Sequence, residues 1–169
     1  TQKYSLRDTK DWNLKKRREG QFKHNLIKTI DYRLFDTRYI YFSNKLVDRT
    51  RENAMYHLMF PNVALTISKQ QSSSYFRHVF ISRNIQESCL ISLQTKEQGY
   101  TFPLYLYTNS ENNIENNSDI KTNLNQGIVN QIAKNVGLTF KENKQNRFKF
   151  FTPLDVIDYI YAVLHSPYY

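Results

Sequence analysis

The sequence predicts an α+β domain, a mostly antiparallel sheet with N-terminal and C-terminal helices packed on it. Three observations predict it. Between Thr37 and Thr108, β-branched and aromatic residues gather in short alternating runs. The last third carries two apolar stripes at helical spacing, each with its own stop signal. A basic stretch with helical spacing precedes both. With 169 residues and 40% apolar content, the chain supports a single domain over 1–169 with a real core.

The elements follow in order. Residues 12–29 predict a helix, with Leu14, Phe22, Leu26 and Ile27 among lysines and arginines and Gly20 as a break. Thr37 to Phe42 is rich in β-formers and predicts a strand. Arg51 to Met59 predicts a short helix that Pro61 ends. Asn62 to Ser68 predicts a strand with Val63, Leu65 and Ile67 on one face. Tyr75 to Ser82 predicts another with Val79 and Ile81 on one face, and Cys89 to Leu93 a short one. The aromatic run Gly99 to Thr108 predicts a strand that Pro103 places at an edge or bend. An Asn-rich stretch, 109–123, reads as a loop within the domain. Leu124 to Val136 then predicts a helix closed by Gly137. Thr152-Pro153-Leu154-Asp155 opens another, with an N-cap, a first-turn proline and an acidic third residue.

Charge is concentrated at one end. Residues 1–60 hold 14 Lys/Arg against 7 Asp/Glu, residues 61–110 hold 4 against 2, and residues 111–169 hold 6 against 6. The net charge of +9 is therefore an N-terminal property, which suits a polyanion such as nucleic acid or a merely solvated basic face. No apolar run approaches the ~20 residues of a membrane span. The single Cys89 forms no internal disulfide, and a reducing cytoplasm is the expected location. The chain begins Thr-Gln-Lys, without Met, and reads as a piece of a longer polypeptide.

Catalytic motifs are missing. The four glycines, at 20, 99, 127 and 137, form no phosphate-binding loop. His24, His57, His78 and His165 lack metal-ligand spacing. Glu142 and Lys144 match only the tail of a metal-dependent nuclease motif, without an upstream carboxylate partner.

What remains is basic and aromatic. In Tyr32-Arg33-Leu34-Phe35-Asp36-Thr37-Arg38, the two arginines stand evenly between phosphate contact and internal pairing. The alternative to phosphate contact has Asp36 pairing with one of them while Phe35 and Tyr39 fill core, and it is favoured for Asp36 and Phe35. Arg49 and Arg51, two apart in a basic region, lean toward a nucleic-acid backbone or a guanine edge if the segment is extended. Lys69, Gln70, Gln71 and Ser74, with Arg77 beyond, are the best base-reading candidates, because Gln can bond adenine bidentately and Lys or Arg can bond guanine. An ordinary polar turn is the alternative there.

Several runs together resemble one family. They are Tyr-Arg-x-Phe-Asp-x-Arg-Tyr-Ile-Tyr at 32–41, Asp-Arg-x-Arg-Glu at 48–52, and Asn-Val-Ala-Leu-x-x-x-Lys-Gln at 62–70. His-Val-Phe-Ile-Ser at 78–82, Gly-Tyr-x-Phe-Pro-Leu-Tyr-Leu-Tyr at 99–107, Asn-Leu-Asn at 123–125 and the Phe-Thr-Pro-x-Asp run at 151–155 follow in order. From about Asp11 to Pro167 the chain is similar to the C-terminal target-recognition (specificity) region of type ISP and type IIG restriction-modification enzymes. Leu34 stands where that family usually has Pro, and Lys69 where an Arg-Gln pair is usual. The resemblance implies double-stranded DNA as partner and a methyltransferase domain of the same polypeptide outside this chain. It implies adenine-specific methylation with S-adenosylmethionine for the parent, and Mg²⁺ if the parent cuts. The chain itself is expected to be non-catalytic. Two rivals are a protein-docking module with little DNA contact and a nuclease built on Glu142 and Lys144.

Overall fold

The computed structural model describes residues 8, 13, 21–72, 74–108, 120–142 and 149–168. Residues 12 and 14–20 of the predicted 12–29 helix, together with Ser73, Lys144 and 109–119 of the Asn-rich stretch, lie outside these residues. Within them the domain is α+β with mostly antiparallel pairing, as expected. The strands form four small sheets rather than one.

The chain enters through a 3₁₀ turn at His24–Leu26 and then β1, Ile27–Arg33. The helix expected through Thr29 is thus a turn and a strand at its end. Ile27, Thr29 and Ile30 are β-branched and stiff at χ1, and Ile30 is buried between partners on both sides. β1 pairs antiparallel with β2, Asp36–Tyr41, and parallel with β5, Ile85–Gln86. Pairing across the sheet outweighs the helical spacing of the local sequence. A register irregularity between Asp31 and Arg33 leaves Tyr32 as an extra residue just before the hairpin turn.

A short helix, α1 (Glu52–Met55), runs into a 3₁₀ turn over Tyr56–Met59, close to the predicted helix. β3 (Ala64–Ser68) then lies between β4 (Val79–Ser82) and β6 (Gly99–Pro103), antiparallel to both. Val63, Leu65 and Ile67 share one face, as predicted, and are half-buried; the fully buried face is Ala64, Thr66 and Ser68. Close approach suits small residues on the buried face. A Cβ on Gly99 would meet Thr66 Cγ2 at 2.9 Å, so this face admits only small side chains. Its hydroxyls are used: Thr66 Oγ1 and Thr101 Oγ1 donate to Gln86 Oε1 at 2.8 and 2.7 Å. β4 begins four residues later than predicted. Cys89 to Leu93 is a turn with a single bridge, Ser92 to Glu97, and the short strand of this region is β5 instead.

Pro103 ends β6, and β7 (Tyr105–Tyr107) pairs with β8 (Ile120–Thr122). The end of the Asn-rich stretch is therefore a strand, because Ile120 finds Tyr107 as a partner. The two helices are α2, Gln126–Val136, and α3, Pro153–Leu164. Asn125 caps α2 by accepting from the Ile128 N–H, and Gly137 closes it at φ 67°. Thr152 and Asp155 form the capping box at the start of α3. A parallel pair unforeseen in the sequence, β9 (Thr139–Phe140) with β10 (Phe150–Phe151), joins the helices.

Two apolar clusters result. One gathers Ile30, Phe42, Met55, Leu58, Ala64 and Ile85 under the β1–β2 hairpin. The other gathers Val129, Phe151 and Val156 between α2, β10 and α3. Among the described residues no helix is long and apolar enough to cross a membrane.

Candidate nucleic-acid interface

The β1–β2 hairpin carries the first two candidates. Arg33 Nη1 lies 2.7 Å from Glu87 Oε2 and also donates to the Tyr32 carbonyl. Arg38 forks onto Asp36, with Nε 3.0 Å from both carboxylate oxygens and Nη2 2.6 Å from Oδ2. Both guanidiniums lie over the Tyr32 ring, at 4.1 and 4.2 Å from its centroid. The Arg38 hydrogen bonds hold the Asp36 carboxyl below its ordinary range. The predicted pairing of Asp36 is thus present, and Glu87 adds a second ion pair. Each arginine charge is offset by a carboxylate of the same chain.

Phe35 and Tyr39 depart from expectation. The core place favoured for Phe35 and considered for Tyr39 does not form: Phe35 is wholly exposed at the turn and Tyr39 is 81% exposed. Phe35 lies in the two-residue turn between Arg33 and Asp36 with its side chain in solvent, while its neighbour Leu34 is half-buried and lines the cleft beside the hairpin. Phe35 holds φ 62°, a conformation that favours Gly or Asn.

Arg49 and Arg51 flank Thr50 with φ of 54° and 48°. Both are left-handed, so the extended segment supposed for them is not what forms. Arg51 sits just before α1 and reaches across to β6. Its Nη2 lies 3.1 Å from Gln98 Oε1, and its Nη1 lies 3.5 Å from the Gly99 carbonyl. Arg49, two residues earlier, is exposed.

The loop between β3 and β4 spans 69–78, and a Ser68 N–H to His78 carbonyl bond of 3.2 Å closes its base. Its side chains divide into two sets. Lys69, Gln70, Ser74 and Arg77 are exposed, as are Tyr75 and Phe76, and Arg77 lies 5.5 Å from the Tyr75 ring centroid. Gln71 turns inward, and its Oε1 accepts from the Arg77 N–H at 3.0 Å. Ser72 bonds Glu97: its backbone N–H and its Oγ both donate to Oε1, the latter at 2.6 Å. His78 Nδ1 lies 3.0 Å from the other oxygen, Oε2. The Ser72 bonds, helped by His78, hold the Glu97 carboxyl below its ordinary range. Of the loop candidates, the structure therefore groups Lys69, Gln70, Ser74 and Arg77 on the surface and gives Gln71 an internal bond.

Glu97, Tyr75 and Phe76 join the site without a motif that marks them in the sequence. One signal was available. Glu87 and Glu97 are the two acids in residues 61–110, and each now faces a candidate cation or loop. A cleft of about 320 Å³ opens beside the hairpin, between Arg33, Thr37, Phe80, Gln86 and Tyr161. Asp31 in its wall already accepts from Ser82, Asn84 and Thr37. His57 accepts from the Tyr107 N–H through Nδ1 at 3.0 Å, a structural use. Glu142 is exposed, and no three His, Cys, Asp or Glu side chains converge as a metal site among the described residues.

The fold and this loop define a class, a small α+β module that presents side chains from loops and turns on a two-core frame. The chain belongs to the type ISP C-terminal specificity domain family, which it matches over residues 1–169. Its fold is similar to part of a cryo-EM structure of a DrdV–DNA complex, with a TM-score of 0.62 and 22% identity. The similarity covers 88% of this chain and 13% of that one. No curated protein matches the chain.

Proposed function

We propose that this chain is the DNA sequence-recognition domain of a restriction-modification enzyme. It grips duplex DNA and positions it for N6-adenine methylation by a methyltransferase domain of the same polypeptide, and for cleavage in a parent that cuts. The parent is of the type ISP or type IIG kind, uses S-adenosylmethionine, requires Mg²⁺ for cutting, and works in the cytoplasm. Domains outside this chain supply that chemistry. Membership in a specificity-domain family over the whole chain is the observation that carries the reading. The fold's occurrence in a complex with DNA supports it. So does the exposed set of Lys69, Gln70, Ser74 and Arg77, whose donors and acceptors suit base edges.

Roles divide by chemistry. Arg49 and Arg51 serve the phosphate backbone, and the 69–78 loop serves the bases. Arg33 and Arg38 are chiefly structural, because their carboxylate partners must be displaced before they can meet phosphate. The test is the salt dependence of binding by the full-length protein. Arg49→Ala with Arg51→Ala should weaken binding to every duplex and flatten the log–log salt slope by about 2, one unit per phosphate lost. An unchanged affinity and slope would remove both arginines from the interface.

One observation favours docking as a second use of the domain. Helix α2 exposes Ile128 and Val136, and α3 exposes Leu154, Tyr159 and Ile160. That apolar surface suits contact with a neighbouring domain.

A further inference from the structure

We propose that Glu97 is the positioning residue of the recognition loop, one carboxylate that bonds the first leg of 69–78 through Ser72, lies against His78 on the second, and so sets what the loop presents to bases. The inference rests on the recognition reading above and names the residue that makes it work.

Glu97 is 4% exposed and sits under the loop, not in it. Oε1 takes the Ser72 N–H and hydroxyl on the first leg, and Oε2 faces His78 Nδ1 on the second, at 3.0 Å. Burying a carboxylate is costly unless donors meet it, and the Ser72 N–H and hydroxyl do so here, with the His78 ring beside the second oxygen. The platform beneath is itself fixed. Glu97 bridges Ser92, the Gly99 N–H donates to the Ser88 carbonyl at 3.1 Å, and Gly99 pairs with Ser68 in the sheet. Within the loop, the Gln71–Arg77 bond ties the legs together a second time.

The two residues after Glu97 hold Arg51. Gln98 Oε1 takes Nη2, and the Gly99 carbonyl faces Nη1. Three consecutive residues therefore fix the base-reading loop and a phosphate-contacting arginine relative to one another. Such ordering is done before DNA arrives, so it lowers the cost of the specific complex. Phosphate attraction tolerates mobile cations and gains little from it. Loss of Glu97 should therefore cost sequence preference, not general DNA affinity.

The experiment compares wild type, Glu97→Ala and Glu97→Gln in the full-length protein. Gln keeps an acceptor for Ser72 and loses the charge opposite His78. Amide hydrogen exchange over 69–78 is measured without DNA. Affinity is measured for the duplex that wild type selects from a randomised pool and for an unrelated duplex. In Glu97→Ala, exchange in the loop should rise while β3, β4 and β6 stay protected. Affinity for the selected duplex should fall about tenfold or more, with the unrelated duplex unchanged. Glu97→Gln should fall between the two. Unchanged loop exchange, or equal loss on both duplexes, overturns the proposal. If Glu97→Ala does not fold, Glu97→Gln and Ser72→Ala decide by the same two readouts. A wild type that binds DNA but selects no sequence overturns the recognition reading, and this proposal with it.

Discussion

The β1–β2 hairpin and the 69–78 loop are both polar arms of one frame, yet they use carboxylates in opposite ways. In the hairpin, Asp36 and Glu87 lie against the arginines and consume their charge. Under the loop, Glu97 bonds Ser72 and faces His78 and leaves Lys69 and Arg77 pointing outward. The hairpin stands on an apolar core through Ile30 and Ile85, whereas the loop stands on hydrogen bonds. The position of a carboxylate, more than the density of arginine, decides which arm is available to a polyanion.

The difference can be broken at several points. The largest effect should come from Ile85→Ala, which empties a site 1% exposed in the strand that pairs with β1. Stability should fall by about 2–5 kcal/mol, read from denaturant midpoints, and exchange should rise first in the hairpin. A hairpin that stays protected would show that it does not depend on this core. Next come the arginines. Arg33→Ala leaves the half-buried Glu87 without its cation and should cost about 1–2 kcal/mol. Arg38→Ala should scarcely move the melting temperature, because its pair is exposed to water. Equal effects would contradict the assignment of one arginine to the frame and the other to its surface.

Acid should separate the two kinds of anchor with smaller effects. Burial lowers the His57 pKa, and Nδ1 must stay unprotonated to accept from the Tyr107 N–H. A lowered folded value means stability that is full above the unfolded value, about 6.5, and is lost as pH falls through the folded one. Global stability should begin to drop there. Glu97 and Asp36 are also lowered, so their contributions persist above the ordinary carboxylate range and are lost only below about pH 4. Loop exchange should therefore stay slow at pH 5 and rise only in stronger acid. Loop opening already at pH 6 would contradict the Glu97 anchor.

The helical caps were the most legible part of the sequence. Asn125 with Gly137, and Thr152 with Asp155, act within a few residues of one another, and local chemistry decides them. Strand faces were less legible. Alternation placed Val63, Leu65 and Ile67 on one face, but that the other face of β3 is the fully buried one depends on small residues such as Thr66 meeting Gly99, 33 positions away. Phe35 misled for a related reason. Its apolar side chain suggests core, but a two-residue turn fixes it outside. At the site, residue types nominated Lys69 and Gln70 correctly as surface groups, while the inward turn of Gln71 depends on the folded loop. Glu97 was hidden because it stands 19 residues from His78, and only the β3–β4–β6 sheet brings them together.

The most direct test of the account is the DNA preference of Lys69→Ala with Gln70→Ala, both surface changes outside the loop's internal bonds. The double variant and Arg33→Ala are each passed through selection from a randomised duplex pool in the full-length protein. The loop variant should select a relaxed or altered sequence while its affinity for unrelated DNA changes little, and Arg33→Ala should select the wild-type sequence. The reverse pattern, with sequence choice kept by the loop variant and lost by Arg33→Ala, would place base reading on the hairpin and contradict the account.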